Sequence, residues 1–192
     1  MKKFELTNEF ITNMFGTKLF RIRALVEFGD VEAGELGGYV EKESNLGHDD
    51  NAWVYDNAWV YGDAQVSGDA RVYDNAWVYD NARVYGDAQV SGDALVYGNA
   101  RVYGDARVCG NGDYAYAHGF GSVNRTTTFF RLKDGGVGVR CGCFYGTLAQ
   151  FRDKIRETHG ESAIAEEYLD LAALMEKRFR RTGNEQKTEE ES

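Results

Sequence analysis

Three histidines and three cysteines are the residues of this 192-residue chain best suited to catalysis or metal binding. His118, in Ala117-His118-Gly119-Phe120-Gly121, sits just past a long repeat and is the best candidate for a catalytic base. His48 is followed directly by Asp49 and Asp50, so a carboxylate could orient it as a general base. Read structurally, His118 is a turn residue and His48 a surface corner. His159 falls at the end of a predicted helix, where an imidazolium complements the dipole. Cys141 and Cys143 lie two apart on a predicted strand and so share a face. With Cys109 and His118 they could supply four zinc ligands. The spacing lacks the paired C-x-x-C pattern of strong zinc sites, and buried thiols otherwise behave as small hydrophobes. G-x-x-x-x-G-K-S/T, G-x-S-x-G and H-E-x-x-H are all missing from the sequence. No cofactor is implied.

The element that would position these residues is a repeat. Residues 51–110 are ten hexapeptides in unbroken succession, with valine every six residues from Val54 to Val108 and alanine every six from Ala52 to Ala106. So short a period specifies a solenoid of short strands. In each A-x-V-Y the alanine and valine point inward and their neighbours outward. The Gly, Asp and Asn that follow suit a tight corner. Gly37–Lys42 and Glu43–His48 fit the same frame, and Asp49-Asp50 interrupts it by two residues. About thirteen hexapeptides, roughly four coils, would make a column near 20 Å long. Residues 51–74 and 75–98 agree at 21 of 24 positions, which reads as a duplication of four hexapeptides.

The flanks read differently. Lys18–Phe28 is a strand candidate, and the N-terminal stretch is expected to plug the first coil. Val123–Leu132 and Gly136–Cys143 flank Lys133-Asp134-Gly135 as a hairpin. Thr147 is placed to cap one helix and Ser162 a second. The expected domains are an N-terminal cap over 1–36, a repeat unit over 37–122, a hairpin with two helices over 123–181, and a disordered tail over 182–192. The net charge of −9 argues against general nucleic-acid binding. No hydrophobic run approaches a membrane span and no signal peptide is evident, so a membrane partner is not expected. An odd number of cysteines suits a reducing cytoplasm.

Two resemblances add to this. Hexapeptides with an aliphatic residue followed four positions later by a small one resemble the left-handed parallel β-helix, in which three hexapeptides make a coil. Gly34–Leu46 (GELGGYVEKESNL) followed by His48–Tyr55 (HDDNAWVY) resembles hexapeptide-repeat proteins carried by phages and prophages. Some enterobacterial members of that group are described as transferases. Asn124–Gly160 resembles a small αβ module recurring in phage-encoded proteins. The fold implied is mainly β: a left-handed parallel β-helix of about four coils with a small C-terminal α/β module. The location implied is the cytoplasm of a bacterial host. Trimeric hexapeptide acyltransferases share the repeat, but their usual histidine lies on a loop extruded from the coils, and residues 51–110 contain neither histidine nor such a loop.

An eighteen-residue coil fixes the outward columns. One face stacks Trp59, Trp77 and Leu95 beside Tyr61, Tyr79 and Tyr97, without charge. A second stacks Trp53, Arg71, Gln89 and Arg107. The third stacks Gln65, Arg83 and Arg101 beside Ser67, Tyr85 and Tyr103. An apolar face of this kind is rarely left in water. It is covered by the chain's own helices, by further copies in a dimer or trimer, or by a host or phage protein. Arg71, Arg83 and Arg101 beside tyrosines could instead hold a nucleotide. The resulting expectation is a non-catalytic binding protein that blocks a host defence component by protein binding or by sequestering a nucleotide signal. The alternatives are acyl transfer from acyl-CoA, with His118 or His48 as base, and a structural role in the virion.

Overall fold

The computed structural model describes residues 1–182 and, beyond them, only the helical backbone through Glu190. The expected disordered tail over 182–192 therefore lies, after Thr182, outside the described residues. The chain divides into two compact units, Met1–Asn111 and Gly112–Ser192.

The first unit begins with β1 (Phe4–Thr12), β2 (Lys18–Ala24) and β3 (Leu36–Val40). Ten strands of two or three residues follow: β4 (Trp53–Val54), β5 (Trp59–Val60), β6 (Gln65–Val66), β7 (Arg71–Val72), β8 (Trp77–Val78), β9 (Arg83–Tyr85), β10 (Gln89–Val90), β11 (Leu95–Val96), β12 (Arg101–Tyr103) and β13 (Arg107–Val108). They form a β-solenoid of about four turns. Every third strand pairs in parallel, so Trp59 meets Trp77, Arg71 meets Gln89 and Arg83 meets Arg101. Each of these pairs is eighteen positions apart, which is the expected coil. The pairs Tyr39 with Trp59 and Leu46 with Val66 are instead twenty apart. The Asp49-Asp50 insertion accounts for the difference, and Asp50 takes it up at a corner with φ of 62°.

Ala52 through Ala106 and Val54 through Val108 are fully buried, as the alternation requires. The corners explain the Gly, Asp and Asn. A Cβ at Gly68 would lie 2.9 Å from the backbone nitrogen of Gly86 on the next rung, at a φ of +70° that favours glycine anyway. Where aspartate takes the left-handed corner, its carboxylate ties two rungs together: Asp74 Oδ2 accepts the Gly92 N–H at 2.9 Å.

The sheet of the aromatic face is longer than the repeat implied. Its order is β1-β2-β3-β5-β8-β11, so an antiparallel N-terminal hairpin extends the solenoid's first face. Phe4 and Phe28 pack edge-on against Trp53, with centroids at 6.2 and 5.3 Å. Trp53 is therefore fully buried, a correction to its expected place on an outward column. Pleating does send its side chain outward, but the N-terminal segment lies over it.

The second unit is an antiparallel meander of β14 (Tyr114–Phe120), β15 (Arg125–Arg131), β16 (Val137–Cys141) and β17 (Phe144–Thr147), followed by helices α1 (Leu148–His159) and α2 (Ala163–Glu190). The expected hairpin is β15–β16. Residues 112–122 were expected to finish the repeat unit; β14 pairs instead with β15, which places the division at Asn111/Gly112. Thr147 and Gln150 form a capping box on α1, and Ser162 Oγ accepts the Ala165 N–H at 3.3 Å at the start of α2. Phe129, Val139, Phe151, Tyr168, Ala172 and Phe179 form this unit's own core. Among the described residues no helix is long and apolar enough to cross a membrane.

Candidate binding surface

The six residues expected on one wall are brought together there. Trp59, Trp77 and Leu95 are in register on β5, β8 and β11, with Tyr61, Tyr79 and Tyr97 two residues on in each rung. The indoles of Trp59 and Trp77 stack with centroids 4.4 Å apart and planes 5° from parallel. Tyr61 stacks on Tyr79 at 5.1 Å and 4°, and Tyr79 on Tyr97 at 5.3 Å and 15°. The spacing follows from the rung repeat, which is close to the separation of paired strands. All six remain partly accessible, and Tyr97 is 40 % exposed. Desolvation in the ladder, followed by the neighbouring Tyr79 and Asp80, pushes the Tyr61 phenol up to about 12.

This geometry limits what the wall can hold. Because the planes are nearly parallel and the neighbours lie on successive rungs, ring faces look along the column at one another. Ring edges and phenol groups look outward. A nucleobase or sugar stacks on a ring face, and within the ladder those faces are already used. The wall offers a broad apolar edge with hydroxyls at its border, which is the aromatic chemistry enriched at protein interfaces.

The sequence reasoning missed how the wall begins. Tyr39 continues the tryptophan column one rung earlier, paired with Trp59. Its hydroxyl donates to Glu9 at 3.1 Å, and the Arg21 guanidinium, 5.5 Å over its ring, bonds the same carboxylate. A charged cluster therefore borders the uncharged wall. The Gly37–Lys42 hexapeptide signalled Tyr39; nothing in the sequence tied it to Glu9.

The arginine candidates divide. Arg71 is held by Asp30 at 2.9 Å, and Tyr55 donates to the same carboxylate at 3.0 Å. Arg83 and Arg101 are exposed and in register on the third face, beside Tyr85 and Tyr103, whose rings lie 4.5 Å apart and tilted by 43°.

The histidine and cysteine candidates are scattered. His118 is exposed near the bulged end of β14, with Nδ1 2.8 Å from Thr126 Oγ1, a hydroxyl rather than an orienting carboxylate. His48 Nδ1 accepts the Lys3 N–H at 3.2 Å, and its ring stacks on Phe4 at 4.5 Å. That makes His48 an anchor for the N-terminal strand. His159 stacks on Tyr168 at 5.9 Å at the end of α1. Cys141 is buried, and its sulfur accepts the Thr127 hydroxyl at 3.2 Å; Cys109 and Cys143 are exposed. Among the described residues no group of three or more His, Cys, Asp or Glu is arranged to hold a metal ion.

Residues 64–80, 76–92 and 88–104 match the YdcK beta solenoid repeat. The chain is similar to that repeat over its central rungs, and the likeness concerns the fold of those rungs. No curated protein matches the chain.

Proposed function

We propose that the protein is a non-catalytic binding protein that engages a protein partner through its aromatic wall. The observation that carries this reading is the pair of partly exposed columns, Trp59–Trp77–Leu95 and Tyr61–Tyr79–Tyr97, on one uncharged face. Aromatic rings stiffened by stacking supply contact area at little further entropic cost, the quality that makes Trp and Tyr dominant at interfaces. The phage resemblance of Gly34–Tyr55 and Asn124–Gly160 gives the biological setting: a component of host defence in the bacterial cytoplasm is the partner. A second reading has its own support. Arg83 and Arg101, in register beside two tyrosines, suit the phosphates of a nucleotide signal.

Capture from host lysate tests the first reading. Trp77→Glu breaks the tryptophan stack and sets a carboxylate in the middle of the wall, while leaving the interior valines and alanines untouched. The expected result is a folded protein by circular dichroism that no longer captures the partner held by the wild type. Undiminished capture by Trp77→Glu, with loss on replacing Arg83 and Arg101 by Gln, transfers the function to the third face. His118→Ala is expected to leave capture unchanged. Acetyl-CoA turnover that falls on the order of 100-fold in that variant would replace binding with acyl transfer.

A further inference from the structure

The N-terminal hairpin ends in an apolar tip that no described residue covers. Met14 is 81 % exposed, Phe15 78 % and Phe10 46 %. The backbone beneath them is firmly tied. Asn13 Oδ1 accepts the Phe15 and Thr17 N–H groups, both at 3.0 Å. The Asn13 carbonyl accepts the Gly16 N–H at 3.0 Å, and its N–H donates to the Thr17 carbonyl at 3.0 Å. Gly16 closes the turn in the left-handed region, with φ of 82°. A turn tied to one residue in this way needs no further backbone ordering when Met14 and Phe15 are covered.

The same hairpin carries an open sheet edge. β1 is the terminal strand of the six-stranded sheet, and among the described residues it pairs with β2 alone. Edges of this kind are normally blunted by charge, proline or a bulge. The first half of β1 is protected in that way: Glu5 and Glu9 stand on it, and its register shifts between Leu6 and Phe10. The second half has no such protection. Phe10 through Thr17 carries neither charge nor proline, and Phe10–Thr12 runs in unbroken register with Lys18–Phe20. The charges at its borders are engaged within their own sheet. Glu9 meets Arg21 and Tyr39, each at 3.1 Å, and Lys18 lies over the Phe10 ring at 4.3 Å. In a chain of net charge −9, a second copy can meet this stretch without like charges in contact.

We propose that the distal half of β1 and the tip at Met14–Phe15 form a two-fold contact with the same segment of a second copy, antiparallel and edge to edge. A two-fold axis places the same patch on both sides, and an uncharged apolar edge is complementary to itself. A charged peptide or a nucleic acid finds nothing in this stretch to match. The three exposed side chains present roughly 400 Å² per copy. Two copies therefore bury about 800 Å² before strand pairing is added, which approaches the low end of specific interfaces at about 1,200 Å². The contact is that of a reversible, concentration-dependent dimer. The wall strands β5, β8 and β11 stand at the other end of the sheet order, so the inference is independent of the function proposed above.

Sedimentation equilibrium tests this on the full chain from about 5 μM to about 1 mM. The wild type is expected to pass reversibly from monomer to dimer within that range. Phe15→Asp sets a carboxylate into the apolar contact and should weaken dimerisation on the order of tenfold or more. Met14→Ser should weaken it by a smaller factor. Because the contact is uncharged and each copy carries −9, added salt should strengthen the dimer. These positions are on the surface, and unchanged melting of the dilute variants confirms that they fold. Wild-type amide shifts confined to residues 8–20 across a dilution series give a readout that needs no variant. A wild type that stays monomeric throughout, a dimer that weakens with salt, one undisturbed by Phe15→Asp, or one dissociated instead by Trp77→Glu would each overturn the proposal. So would Phe15-dependent capture of the chain by neutral phosphatidylcholine vesicles, which would assign the tip to a lipid surface.

Discussion

Lys3 is 3 % exposed, and its ammonium reaches the carbonyls of Ala52 at 2.8 Å and Asp50 at 3.2 Å, with Phe28 at 4.6 Å beneath it. It pins the N-terminus over the corner where the two extra residues enter. Burial draws its pKa down from 10.5 to about 8, and the nearby Asp50, Asp49 and Asp69 only partly offset that. Between pH 8 and 10.5 the unfolded chain therefore holds the proton that the folded chain has released, and stability rises with pH across that window. The gain by pH 10 is up to about 2 kcal/mol. The phenols act in the opposite sense. Tyr61 and Tyr168 are both raised to about 12, each by burial first, so the stability they lend is complete below their ordinary value near 10 and fades toward 12. Urea midpoints should climb from pH 8, turn over near 10 and then fall, and Lys3→Met should flatten the climb alone. A profile that falls steadily from pH 8 in the wild type would contradict the burial argument. A second residue-scale expectation concerns Asp69, Asp87 and Asp105, one per rung at a single corner. Asn51 already meets Asp69 through an amide–carboxylate bond of 2.7 Å. Asp87→Asn should extend that pairing, relieve like charge, and raise the melting temperature at low salt more than at high salt.

At the scale of elements, the solenoid's strands are too short to be stable alone; each exists because the rung above and the rung below supply its hydrogen bonds and its valine contacts. That is why the repeat was legible: a six-residue period constrains backbone and interior together, and Ala52, Val54 and their successors repeat it without error. The caps were legible for a similar reason, since Thr147 and Ser162 stand where an N-cap hydroxyl must stand. What escaped sequence reading has no local signature. The polar stretch Thr7-Asn8-Glu9 breaks the alternation of β1, at the register shift between Leu6 and Phe10. The alternation in β14 continues directly from the repeat and hides a change of sheet. The burial of Trp53 depends on Phe4 and Phe28, distant in sequence. Of the candidate surface, the six wall residues could be placed because they inherit the period. The orientation of their rings, which decides what they can bind, follows from side-chain torsions that no period encodes. The capping box at Thr147 gives a measurable check on this scale. Thr147→Ala removes the hydroxyl that accepts the Gln150 N–H and should cost about 1 kcal/mol. Loss of protection should be concentrated in the first turn of α1 by hydrogen exchange, with the solenoid amides unaffected.

The whole molecule is two units with two kinds of core, and the difference shows in how a single defect should spread. In the solenoid each rung touches only its neighbours, so the interior is a column of Val60, Val78 and Val96 on one face, repeated on the other two. Val78 is 0 % exposed and sits between its two counterparts. Val78→Asp places a carboxylate in a dry interior one valine wide, where no partner can reach it, at a cost of several kcal/mol. Because rungs support one another in series, that loss cannot be contained within one coil. The C-terminal unit has no part in that column: Phe129, Phe151, Tyr168 and Phe179 enclose a core drawn entirely from residues after Gly112. Exchange measurements on Val78→Asp should therefore show the amides of 37–111 unprotected while those of β15, β16, α1 and α2 keep their protection. Helical circular dichroism should persist to a distinct melting step. A uniformly unfolded variant would mean that the C-terminal core requires the solenoid for its stability. A fully folded one would mean that the valine column is not the solenoid's interior, and the outward wall, whose placement rests on that column, would fall with it.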